Sequence, residues 1–123
     1  MTTQGPTFRG GQNMALKVPP DQYGTTLRFY RDVLKLPEIS DPAHGTGFEF
    51  GPNRLWIDRA PAMSQAELWL EIVADDVEAG AEALREAGTP RRDEIEPLPE
   101  GFRGFRISSP SSIIHLVCEK SET

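Results

Sequence analysis

The chain has 123 residues, a formal net charge of −6 and a single cysteine, Cys118. One core at this length buries roughly two thirds of the unfolded surface, so the chain needs no disulfide framework, and with one cysteine none can form within it. Arg91 and Arg92 are followed at once by Asp93, Glu94 and Glu96, which argues against the basic face of a nucleic-acid binder. Without an apolar run near the ~20 residues of a membrane span, or the apolar block of a secretory signal, the expectation is a cytoplasmic protein with no membrane or nucleic-acid partner.

Residues 1–11, rich in Thr, Gly, Gln and Pro, read as a flexible tail, and a single domain is expected over 12–123. NMALKV (13–18) has the period of a half-buried strand, with Met14, Leu16 and Val18 on one face and Asn13, Ala15 and Lys17 on the other. Pro19 and Pro20 stop it. A helix is predicted over 22–34, with Asp21 as N-cap, Leu27, Tyr30 and Leu34 at helical spacing and Phe29 and Val33 flanking them. Pro37 ends it, and GFEF and RLWID around Gly51, Pro52 and Asn53 read as a hairpin.

ELWLEIVA (67–74) opens the second half, with Leu68, Leu70 and Ile72 alternating against Trp69, Glu71 and Val73. The next helix carries the clearest signals: a capping-box spacing at Asp75 and Glu78, an apolar stripe at Val77, Ala81 and Leu84, and Gly88 as C-cap. RRDEIEPL then reads as a weak edge strand, followed by the strand GFRIS, a Ser/Pro turn and the final strand IIHLVCE. The order strand, helix, three strands thus occurs twice, in modules at about 12–60 and 67–120, as an internal repeat of roughly 55 residues.

That order, with FYRDVL and a following Pro37, and with RLWIDRAP and ADDVEAGAEALREAG later in the chain, resembles the glyoxalase, bleomycin-resistance protein and extradiol dioxygenase superfamily, the vicinal oxygen chelate proteins. The resemblance implies an α+β fold in which two βαβββ modules form a curled mixed sheet around a cleft, with helices on the outer face. It implies a homodimer, and in enzyme members a divalent metal held by residues from the first and last strands of each module. Carried onto this chain by matching faces, those positions fall on Asn13, Trp56, Trp69 and His115.

Of these, only His115 is a strong ligand, because indole offers no lone pair and a neutral amide oxygen is weak. No metal or other cofactor is therefore expected. The alternative is a divalent site in which Asp58 or Glu71, and His44 from a loop, join His115. The expected cleft lining is Asn13, Ala15, Lys17, Glu49, Trp56, Asp58, Trp69, Glu71, Arg106, His115 and Val117. Two indoles among polar groups suit a small organic ligand, aromatic or cationic. The same indoles equally suit space-filling, and His115 reads either as a general base beside Asp58 or Glu71 or as a hydrogen-bonded structural residue.

The favoured expectation is metal-independent binding of a small molecule, as in the sequestering members of the resembled family. Its binding set is Asn13, Lys17, Trp56, Asp58, Trp69, Glu71, Arg106 and His115, with His115 the catalytic candidate. The alternatives are a metal-dependent lyase or dioxygenase and an accessory or structural protein without a ligand. Cys118, sharing parity with Ile114 and Leu116, is expected against a helix.

Overall fold

The alternation in NMALKV sets the centre of the first module. The structure, a computed structural model, describes residues 5–119. Of the expected tail and domain, residues 1–4 and 120–123 lie outside that range. The chain divides into two units, Gln12–Trp69 and a second formed by the residues up to Gly11 with those from Leu70 onward.

Within the second unit, part of the expected tail is a strand. β1 (Phe8–Gly10) pairs antiparallel with Ile72–Ala74. Three residues without apolar alternation carry no strand signal, which is why the sequence reading misses it. Thr7 tethers its start through hydrogen bonds to Asp75 from both its backbone N–H and its hydroxyl.

In the Gln12–Trp69 unit, β2 (Asn13–Val18) is followed by α1 (Pro20–Arg28), which starts at the diproline itself. Proline is well suited to a first helical turn, where its missing N–H has no partner to lose. Asp21 therefore lies in the first turn, and the N-cap position is Pro19, not Asp21 as expected. A π-helical turn, Phe29–Val33, follows, with the Leu34 N–H bonded to the Phe29 carbonyl, and Lys35 then takes a left-handed φ of 56°. This wider turn changes the helical phase. Leu34 and Val33 are left exposed, and Leu36 takes the expected place of Leu34 in the core.

β3 (Glu38–Asp41), β4 (Gly45–Phe50) and β5 (Asn53–Arg59) form an antiparallel meander, and β5 lies parallel to β2. β6 (Glu67–Ala74) contributes its first three residues to this unit, antiparallel to β2 on its other edge. Val18, Phe48, Leu55 and Ile57 are buried on the face covered by α1, with Leu16, Leu27 and Tyr30 packed against them. Asn13, Ala15, Lys17, Trp56 and Asp58 consequently share the opposite face.

In the other unit, α2 (Val77–Glu86) is capped by the Asp76 carboxylate, which accepts from the Ala79 N–H, so the cap lies one residue beyond the expected Asp75. β7 (Gly104–Ser108) and β8 (Ile114–Cys118) form a hairpin, and β8 runs parallel to β6. RRDEIEPL forms no strand: Arg91 makes an isolated bridge to Ile107, and Asp93–Ile95 is a short 3-10 turn. Its successive charges, and Pro97 near its end, leave no run of β-favouring side chains and N–H groups to extend a ladder. Ala74, Val77, Phe105, Ile107 and Val117 make the core beneath α2.

This core reverses one expectation. Val117 faces α2, and His115, paired across the hairpin with Ile107, lies on the same face. His115 and Val117 therefore do not share a face with Arg106 and Glu71. Leu116 does, and so does Cys118, which is buried on the side away from α2. The cause is the five-residue turn Ser109–Ile113, with Ser112 at φ 66°, which pairs Ser108 with Ile114 and Arg106 with Leu116. In a strand that is apolar on both faces, only the turn length decides which side is which.

Candidate aromatic binding face

Three residues in a row define the site. Ala15 on the central strand β2 pairs with Trp56 on one side and with Trp69 on the other. Adjacent strands lie about 4.8 Å apart, so the two tryptophans stand roughly 9–10 Å from each other across the smallest side chain of the row. Ala15 is partly exposed, whereas Trp56 and Trp69 are only 5% and 6% exposed.

Each indole is held by its polar edge. Trp56 Nε1 donates to Asn13 Oδ1 at 2.9 Å, and Trp69 Nε1 donates to Glu67 Oε1 at 2.9 Å. The Trp56 ring leans towards Gly47, its cross-strand neighbour, where a Cβ would come within 2.6 Å of the indole and 2.7 Å of the Leu55 carbonyl. Glycine at 47 thus lets the indole tilt away from Ala15.

The protein's own side chains cover both ring systems. His44, in the turn between β3 and β4, stacks on Trp56 with ring centroids 4.8 Å apart and planes 21° from parallel. Its Nδ1 is buried without a hydrogen-bond partner, and Asp41 Oδ1 is 3.4 Å away. The Ala43 N–H, with contributions from His44, holds the Asp41 carboxyl below the usual carboxylate range. On the other indole, Lys17 Nζ lies 4.4 Å from the Trp69 ring centroid and 2.9 Å from Asp58 Oδ2. Lys17 is 6% exposed, so this is an ammonium held almost out of water, with an aromatic ring and a carboxylate among its neighbours.

The sequence-predicted residues thus separate into groups. Asn13, Lys17, Trp56, Asp58 and Trp69 come together on this face, with Ala15 between the indoles. In the other unit Glu71 is buried with Cys118 Sγ 3.8 Å from its Oε2, and its carboxylate lies where a Cβ at Gly11 would be. Arg106 bonds the Glu96 carbonyl and lies 3.6 Å from the Glu96 carboxylate, and burial lowers its pKa against the pull of Glu96 and Asp93. His115, on the α2 side, has Nδ1 3.0 Å from the Ile113 carbonyl. The role of Glu67 escaped the sequence reading, although its spacing of two from Trp69 puts both on one side of the strand.

The α2 side of that unit also holds a cavity of about 270 Å³ floored by Val77, Ala81 and Phe105. Its rim arginines are engaged: Arg103 with Glu78 and Glu119, and Arg91 with Asp93 while lying over Phe105.

Paired βαβββ-type modules of mixed parallel and antiparallel strands, each covered by a helix, are the architecture of the vicinal oxygen chelate proteins, and the chain has that fold. Among solved structures it is similar to a hypothetical protein from Bacillus halodurans C-125, at 18% identity and a TM-score of 0.63, covering 95% of this chain and 97% of that one. A Mn(II)-bound glyoxalase from Novosphingobium aromaticivorans aligns at 20% identity and a TM-score of 0.60, covering 91% of this chain and 40% of the glyoxalase chain. A glyoxalase/bleomycin resistance protein/dioxygenase superfamily member from Vibrio splendidus 12B01 aligns at 13% identity and a TM-score of 0.54, covering 91% and 98%. No protein-family model and no curated protein sequence matches.

The donor set at the metal positions that the fold implies does not fit a divalent ion. Both indole N–H groups are donors already engaged, Asn13 Oδ1 accepts one of them, and His115 lies on the α2 side while Leu116 shares the face of Glu71. Among the described residues, no group of three or more His, Cys, Asp or Glu side chains is arranged to hold a metal ion. No helix of the described residues is long and apolar enough to cross a membrane.

Proposed function

We propose that the protein binds a small, flat organic molecule over Ala15, between Trp56 and Trp69, without a metal at the site. The row Trp56–Ala15–Trp69 carries this reading. A flat ring needs a carbon contact of about 3.5–4 Å on each face, or about 7–8 Å between flanking groups, and the backbones that carry the two indoles lie roughly 9–10 Å apart. His44 on Trp56 supports it further, because a flat heteroaromatic ring already uses that indole face.

The test uses the only two tryptophans in the chain as reporters. Titration with quinoline should quench their emission saturably and raise the melting temperature, with about 2.7 kcal/mol of added stability at 100 times the dissociation constant. Ala15→Leu, which fills the row and keeps both indoles, should abolish both effects. Equal binding by Ala15→Leu, or unchanged emission and melting across a panel of flat aromatics, overturns the reading. Stoichiometric tight uptake of Mn²⁺ or Zn²⁺ by metal-free protein would instead support the metal-dependent alternative.

A further inference from the structure

The flat-ring reading does not specify the ligand's charge, and the Trp69 side of the face does. We infer that the ligand is an organic cation, and that Lys17 is the protein's own stand-in for it. This rests on the binding face proposed above and narrows what that face takes.

Trp69 and Asp58 approach the Lys17 ammonium with an aromatic face and a carboxylate: Asp58 contacts Nζ directly, and Glu67 accepts the hydrogen bond that fixes the indole. An indole N–H bonded to a carboxylate also has a more electron-rich ring, which strengthens its attraction for a cation.

Exchange is favoured by hydration. A lysine ammonium is a compact, strongly hydrated charge, and holding it 6% exposed forgoes most of that hydration. An N-alkylated heteroaromatic cation spreads the same charge over a large apolar body and gives up less on entering. Lys17 has the reach to leave this position, because its four-carbon stem is flexible and starts beside Ala15. The neighbouring flat-ring position at Trp56 then takes the ring of the same molecule, so the ligand class is a flat aromatic carrying a fixed positive charge.

Quinoline and N-methylquinolinium, alike in ring and different in charge, are the paired probes, followed by tryptophan emission in the full-length chain. The cation should bind wild-type protein about tenfold more tightly than the neutral ring. Lys17→Met, which vacates the position and keeps the apolar stem, should tighten the cation about tenfold further and leave quinoline unchanged, while Asp58→Asn should weaken the cation alone. Lys17→Gln serves as the second variant if Lys17→Met folds poorly. Equal affinity for the two probes in all variants overturns the cation assignment and leaves the flat-ring reading standing. Failure of both probes to bind overturns both.

Discussion

Gly47→Ala probes how the aromatic row is built. The new methyl carbon would lie 2.6 Å and 3.0 Å from two carbons of the Trp56 indole and 2.7 Å from the Leu55 carbonyl oxygen, against ordinary carbon contacts of about 3.5–4 Å. The carbonyl belongs to the β5 backbone and cannot yield without disturbing the β4–β5 ladder, so the indole has to move as well. Overpacking of this kind costs about 1–3 kcal/mol, offset by roughly 0.4–1 kcal/mol from the stiffer unfolded chain. The net loss of about 1–2 kcal/mol corresponds to a fall in melting temperature of roughly 4–10 °C at this chain length, measured by circular dichroism. The displaced indole moves towards Ala15, so quinoline binding should weaken in the same variant. Melting within about 1 °C of wild type would show that Gly47 does not constrain Trp56 and refute the packing argument.

Asn13→Ala leaves the Trp56 indole N–H buried without its acceptor, and urea unfolding should show a loss of about 1–3 kcal/mol. Asp76→Ala removes the α2 cap and should cost about 1 kcal/mol, read as a lower urea midpoint with unchanged slope. Thr7 holds the Asp75 carboxyl below the usual carboxylate range, so the β1 tether contributes fully above the ordinary carboxylate range and is lost as pH falls through the lowered value. Amide exchange in Phe8–Gly10, corrected for intrinsic rates, should therefore accelerate on acidification in the wild type, and Asp75→Asn should show weak protection at neutral pH already. An equally protected β1 in Asp75→Asn would refute the tether.

The first module was legible because polar residues recur on one face only of its strands. Lys17 between Leu16 and Val18, and Asp58 after Ile57, leave one choice of buried face, and the structure places that face against α1. The last strand offered no such contrast. In IIHLVC both faces are apolar, so the histidine invites a reading as the odd residue facing a site, whereas the Ser109–Ile113 turn puts it on the same face as Ile107. Arg106 held the missing clue, since its cross-strand partner is Leu116, but which residue it opposes depends on a turn conformation that composition does not specify. The phase of α1 was lost for a similar reason: the extra residue in the Phe29–Val33 turn exchanges Leu34 for Leu36, and the five-residue hydrogen bond has no sequence signature. The face assignments on the first module rest on alternation alone; those on the second depended on a register.

The most direct measurement is a proton–nitrogen and methyl correlation spectrum of the protein titrated with N-methylquinolinium. The account predicts saturable shifts in both tryptophan indole N–H signals and the Ala15 methyl, with the Ile107 and Val117 methyl signals beneath α2 unmoved. Binding whose shifts fall on those α2-side residues, with both indoles and Ala15 unaffected, would contradict it.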